Sequence, residues 1–285
     1  MSGIEGLLAG RVLGGRYHVE AVVGRGGMGA VYRAVDQRLG RPVALKVIIV
    51  HAPDAAARER LRQRFHREAQ SAARLRHPNV VVVHDFGTDP ELDLDYLVME
   101  LLDGEDLAAL LAREGAPPLA TSLEILDQAA RGLGAGHRAG LVHRDVKPGN
   151  LFLARGERGE EVRVRVLDFG IAQLAEEEDT LTHLTVAGGG PLSPAYASPE
   201  QLSGGIRLTP ASDVFSLAVV GLQLATGEKL LSGAGVDRSA QIAEGLRRLS
   251  DVGVGPDVSE VLGRSLLENP AARPADAHAF REELR

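Results

Sequence analysis

In the first hundred residues, apolar and polar positions alternate in short β-branched runs: Tyr17 to Val23, Ala30 to Val35, Val43 to Val50, Val80 to Phe86 and Tyr96 to Leu101. That alternation predicts strands. Between the third and fourth runs, Ala55 to Leu75 is rich in Ala, Arg, Glu and Gln and predicts a single helix. After Asp103-Gly104 the apolar spacing turns helical, over Leu107 to Leu111, Thr121 to Ala139, Ala211 to Thr226, Ser239 to Leu249 and Val258 to Leu267. The pattern predicts a strand-rich lobe over residues 1–102 and a helix-rich lobe over 103–285, with a hinge near residue 102. Glu176 to Asp179, Thr180, Thr182, Thr185 and Gly188 to Gly190 form a polar, Gly-rich stretch expected on the surface.

Composition narrows the possibilities. The 285 residues carry 32 basic and 39 acidic side chains, a formal charge of -7, and are 44% hydrophobic. A single core stops growing at about 250 to 300 residues, so the length suits one large domain or two lobes sharing a cleft. The absence of Cys excludes a disulfide framework, a thiolate nucleophile and a Cys-ligated metal. The acidic balance argues against nucleic acid or an anionic membrane as the main partner. No apolar run of about 18 residues is present, so no membrane span is expected within the chain. Of the basic residues only Lys46, Lys147 and Lys229 are lysines. In so Arg-biased a chain, a retained Lys points to work that Arg does less well.

Gly24-Arg25-Gly26-Gly27-Met28-Gly29-Ala30-Val31 fits G-x-G-x-x-G-x-V, whose glycines let backbone N–H groups approach phosphate oxygens. The strand-like Ala30 to Val35 after it favours a hairpin over phosphates rather than a dinucleotide turn opening a helix; a plain Gly-rich hairpin is the bland alternative. Val43-Ala44-Leu45-Lys46 ends an apolar strand in a Lys that can reach α and β phosphates, and Glu68 on the following helix can supply its carboxylate partner. The other reading of Glu68 is one more solvated helix charge.

His143-Arg144-Asp145-Val146-Lys147-Pro148-Gly149-Asn150 fits H-R-D-x-K-P-x-N throughout. This run resembles the catalytic loop of Ser/Thr protein kinases, and the chain as a whole resembles the catalytic domain of bacterial eukaryotic-like (Hanks-type) kinases. The resemblance implies an α+β, two-lobed fold, with a small antiparallel β-sheet lobe carrying one helix and a larger, mainly helical lobe. It implies transfer of the ATP γ-phosphate to Ser or Thr hydroxyls. Asp145 would take or orient the hydroxyl proton, Lys147 would meet the moving phosphate, and Asn150 and Asp168 would hold Mg²⁺, with Mn²⁺ as an alternative. Asp168-Phe169-Gly170 opens an activation segment over 168–200. Lys46 and Glu68 complete the catalytic set. Nucleotide contacts are expected from Val23, Gly24, Arg25, Gly26, Gly27, Met28, Gly29, Val31, Ala44, Lys46, Met99, Glu100, Leu102 and Phe152, with core packing the alternative for Met99. Glu200 in Ala197-Ser198-Pro199-Glu200 and Arg273 match a structural ion pair, and Asp213 matches a buried brace of the catalytic loop.

Implied partners are Ser/Thr-containing protein substrates and, through autophosphorylation at Thr180 or Thr182, a second copy of the chain. The implied location is the cytoplasm, either free or as the cytoplasmic part of a longer membrane-anchored kinase. Three departures stand out. Residues between Asn150 and Asp168 are extended, the Gly188 to Ser193 stretch carries extra Gly and Pro before Tyr196, and residues 228–257 are short and Gly-rich where the large lobe usually has a formed helix. Ser193 is expected to supply a hydroxyl bridging Asp145 and Lys147. A pseudokinase-type ATP-binding scaffold is the alternative function, and a small-molecule phosphotransferase of related fold a further rival.

Overall fold

The computed structural model describes residues 8–26, 29–48, 54–156, 162–169, 193–204, 208–231 and 237–285. Strands β1 (Val12–Leu13), β2 (Tyr17–Gly26), β3 (Gly29–Asp36), β4 (Arg41–Ile48), β5 (Val83–Asp89) and β6 (Leu94–Met99) form one antiparallel sheet in the order β1-β2-β3-β4-β6-β5. Successive side chains of β4 point to opposite faces. Val43, Leu45 and Val47 therefore enter a cluster with Tyr17, Tyr32 and Val98, while Ala44 and Ile48 enter another with Phe65, Ala69 and Ala72 of helix α1 (Ala55–Arg74). Lys46 lies on the second face, which fixes where its ammonium can reach. The side chain of Asp54 caps α1 by accepting from the Ala57 N–H at 2.7 Å.

The apolar run from Val80 was expected to be strand throughout, but β5 begins at Val83. Its first residues bond across the molecule instead: the Val81 N–H donates to Val166 O, and the Val166 N–H donates to Asn79 O. Val166 ends β9 (Arg163–Val166), which pairs with β8 (Leu151–Ala154), itself paired with β7 (Gly104–Asp106). Asn79 closes the joint, its buried amide donating to Gln128 Oε1 and Val164 O.

The rest of the large lobe comprises α2 (Leu107–Glu114), α3 (Leu119–Arg138), α4 (Pro199–Ser203), α5 (Pro210–Thr226), α6 (Arg238–Asp251), α7 (Pro256–Ser265) and α8 (Ala277–Glu283). α5 is apolar on nearly every side and buried from Ala211 to Leu222, as befits the helix at the centre of this lobe. The α+β, two-lobed class agrees with the expectation from sequence. Short α4 and α8 were not anticipated. Residues 228–257, short and Gly-rich in sequence, hold the helix expected over Ser239 to Leu249: α6 runs for 14 residues, its N-terminus capped by the Asp237 side chain on the Ala240 N–H.

Candidate active site

The loop between α3 and β8 gathers the polar side chains. Asp213, at the start of α5 and 1% exposed, accepts three hydrogen bonds: from the backbone N–H groups of His143 (2.7 Å) and Arg144 (2.8 Å), and from His137 Nε2 (2.8 Å). His137 Nδ1 accepts from the Ala277 N–H, so its proton sits on Nε2. His143 is set the same way, with Nδ1 accepting from the Asp145 N–H and Nε2 donating to Leu167 O. Arg144 takes a left-handed backbone, φ 67°, with Asp213 holding the N–H groups of His143 and Arg144 that lead into the bend.

This bracing presents Asp145. Lys147 Nζ lies 2.7 Å from Asp145 Oδ2, and Asn150 donates to Asp145 O (2.7 Å) and Oδ2 (3.0 Å). Both partners of Asn150 are acceptors, so its Nδ2 faces them and its amide oxygen remains for a cation.

Across the cleft stands Asp168, also left-handed at φ 56°, with Oδ2 2.7 Å from Lys46 Nζ. Burial pushes the Asp168 carboxyl up, but the charge and hydrogen bond of Lys46 outweigh it and hold the group below the usual carboxylate range. Phe169 packs against His143 with ring centroids 5.0 Å apart and the rings tilted by 55°. It also lies against Gly136 of α3, where a Cβ would come within 2.1 Å of the Phe169 ring. The carboxylate expected against Lys46 was Glu68. Among the described residues the ion pair of Lys46 is instead with Asp168, because the left-handed turn at Asp168 carries that side chain to the ammonium, while Glu68 sits half-buried on α1.

Above the cleft, β2 and β3 pair Gly24 with Val31, Arg25 with Ala30 and Gly26 with Gly29. A register shift between Val22 and Gly24 leaves Val23 54% exposed, an apolar side chain without a core to enter. Gly29 has φ 146°, and a Cβ there would meet Val47 O at 2.0 Å, so the hairpin lies too close to β4 for any other residue. Gly27 and Met28 lie outside the described residues. Ala44 pairs with buried Met99. At the hinge, Glu100 N–H donates to Val82 O (3.0 Å) and its carboxylate accepts from the Val82 N–H (2.8 Å), a two-way clasp. Leu102 follows, half-buried, and Phe152 lies opposite Asp106 and Arg165 in the small sheet.

The family description "Protein kinase domain" matches residues 17–279. The chain belongs to the protein kinase family. It is 37% identical over 281 residues to the serine/threonine-protein kinase pkn3 of Myxococcus xanthus, covering 96% of this chain and 50% of pkn3. It is 38% identical over 280 residues to PknA of Mycobacterium tuberculosis, covering 96% and 62%. The chain thus spans between half and two thirds of the length of these curated relatives. The crystal structure of the Mycobacterium tuberculosis PknI kinase domain matches with a TM-score of 0.73 at 28% identity over 97% of both chains. No helix among the described residues is long and apolar enough to cross a membrane.

Below the catalytic loop of this kinase domain lies a second, closed ion pair. Arg273 meets Glu200 at 2.8 and 2.9 Å, and also donates to the carbonyls of Ala211, Leu267 and Glu268. The Ser212 hydroxyl donates to Glu200 Oε1. Burial pushes Glu200 up, but Arg273, with a backbone hydrogen bond and the Ser212 hydroxyl, outweighs it, so the carboxyl lies below its ordinary range. Sequence reasoning missed Gln201, whose Nε2 donates to Arg144 O at 2.6 Å and so grips the catalytic loop of the kinase from α4. The Ser193 expectation is corrected: among the described residues its hydroxyl bridges neither Asp145 nor Lys147, because a turn closed by the Tyr196 N–H on Ser193 O draws it aside. Thr180, Thr182, Thr185, Glu176 to Asp179, Gly188 to Gly190 and Gly170 lie outside the described residues.

Proposed function

We propose that the chain is an active protein serine/threonine kinase that transfers the γ-phosphate of ATP to a Ser or Thr hydroxyl. The observation that carries the reading is the pair of carboxylates facing the cleft, Asp145 bound by Lys147 and Asn150, and Asp168 bound by Lys46. The substrate hydroxyl oxygen bonds to the γ-phosphorus as the bond to the bridging oxygen breaks. ADP leaves with that electron pair, and the hydroxyl proton passes to Asp145. Lys147, beside Asp145, opposes the negative charge of the transferring group. Lys46, released from Asp168, meets the α and β phosphates as a compact point charge. Val23, Ala44, Met99, Glu100, Leu102 and Phe152 would enclose the base, and Gly24 to Gly29 with Val31 would cover the phosphates.

The donor set fits Mg²⁺. One carboxylate from Asp168 and one amide oxygen from Asn150 are hard ligands, too few for a cage made of protein alone, and Mg²⁺ keeps waters and phosphate oxygens in its remaining positions. When bound, the ion neutralises phosphate charge. Glu68 would hold the Lys46 ammonium in the working enzyme, leaving Asp168 to serve a bound cation.

Intact mass of the purified protein before and after MgATP, with Asp145→Asn beside it, tests the reading. Added multiples of phosphate on the wild type alone, mapping to Thr180 or Thr182, support it. Nucleotide binding with no mass gain, even with a basic protein substrate present, would leave an ATP-binding scaffold.

A further inference from the structure

Arg238, the first residue of α6, donates from Nη1 to Pro194 O and from Nη2 to Ala197 O, both at 2.7 Å. These carbonyls flank Tyr196, whose N–H closes the turn on Ser193 O and whose hydroxyl donates to Gln223 Oε1 of α5 at 2.6 Å. Among the described residues no carboxylate pairs with Arg238. Burial moves its pKa down rather than up, as expected of a guanidinium spent on neutral carbonyls. The segment it holds runs into α4, which is tied to the catalytic loop through Gln201. The Ser198 N–H donates to Gln201 Oε1, and Gln201 Nε2 donates to the carbonyl of Arg144, the residue before Asp145. One chain of hydrogen bonds therefore leads from the start of α6 to the residue beside the reactive carboxylate.

We propose that Arg238 is a positioning residue for the protein substrate: it fixes residues 193–197, which Gln201 ties to the residue before Asp145, and through them governs binding of the protein substrate without touching the nucleotide. The proposal rests on the kinase reading above. A planar fork can satisfy two carbonyls a few residues apart, whereas the point charge of a lysine cannot hold both in fixed directions. α6, expected over Ser239 to Leu249, begins one residue earlier, at Arg238, and its N-terminus supplies the clasp.

The test is steady-state phosphorylation of myelin basic protein by wild type, Arg238→Lys and Arg238→Gln, with each substrate varied in turn. Loss of hydrogen bonds to a charged donor predicts a rise of about tenfold in KM for the protein substrate, with KM for ATP unchanged and kcat altered by less than about threefold. Lysine does not rescue, which a loss of charge alone would not explain. A lowered melting temperature in Arg238→Gln would leave Arg238→Lys to decide. Unchanged protein-substrate KM in Arg238→Lys beside an active wild type would overturn the proposal alone, as would an equal rise in both KM values. Failure of the wild type to transfer phosphate at all would overturn it together with the kinase reading.

Discussion

Lys46 and Asp168 meet at 2.7 Å, and Arg273 and Glu200 at 2.8 Å, yet the two pairs are built for opposite purposes. The first joins single atoms across a cleft, with 13% and 19% of the side chains still exposed. The second is bidentate, at 0% and 3%, and is closed by a serine hydroxyl, three carbonyls and the Phe215 ring 4.9 Å from the guanidinium. A pair with one contact and access to water can exchange partners, Lys46 for phosphate and Asp168 for a cation. A buried pair whose guanidinium protons are all committed cannot change without stranding a buried charge. The choice of cation follows: a compact ammonium where the partner must be given up, a rigid fork where it must not.

The largest effect should come from opening the closed pair. Arg273→Met strands Glu200 in the core and should cost about 3 to 5 kcal/mol, a fall in melting temperature of roughly 5 to 8 °C. Thermal denaturation checks this. A fall of only a degree or two would mean that the pair tolerates exchange after all, and the contrast drawn above would fail.

Next comes the cleft pair, where stability and chemistry should separate. Lys46→Met and Asp168→Asn should each lower phosphate transfer by roughly 10² to 10³ or more, as when other positioned electrostatic groups are removed. Melting should move far less than in Arg273→Met. Parallel phosphate-incorporation and melting measurements on the three variants give both axes, and a large melting loss in either cleft variant would count against an exchangeable pair.

These two sites were not equally legible in the sequence. The residues from His143 to Asn150 could be read as a unit because their partners lie within a few positions, as the Asn150 bonds to Asp145 and the Asp145 N–H bond to His143 show. Glu200 and Arg273 could be matched across 73 positions only through the resemblance to the kinase family, since their spacing alone gives no signal of the pairing. The partner of Lys46 was not readable, since it depends on a left-handed backbone at Asp168, a non-glycine residue that gives no warning of it. Gln201 and Arg238 were invisible for another reason: both bind backbone carbonyls, which every residue has. The Val80 run misled because a strand-like sequence does not say which strand it will pair with. Its first residues serve β9 and so join the lobes, while only the later ones continue the sheet.

Acid separates the two pairs most finely. Burial raises the Glu200 carboxyl and Arg273 lowers it further, leaving a folded value below the unfolded one. A carboxyl depressed by folding stabilises fully above its unfolded pKa, about 4.3 for Glu, and loses that contribution as pH falls through the folded value. The wild-type melting temperature should therefore be insensitive to this group from pH 7 to about 5 and decline below about 4.3. Glu200→Gln should start lower at pH 7 and decline less steeply, because its amide has no proton to gain. Asp168 is depressed too, with Lys46 overcoming its burial, so Asp168→Asn should also flatten the acid limb. The flattening should be smaller at the cleft, where water reaches both partners and screens a single contact, than at the closed pair with its two guanidinium bonds and serine hydroxyl. Melting curves of the three proteins between pH 3 and 7 decide it: equal flattening would mean that the cleft pair is as firmly held as the buried one, and Lys46 would not be free to leave Asp168 for a phosphate.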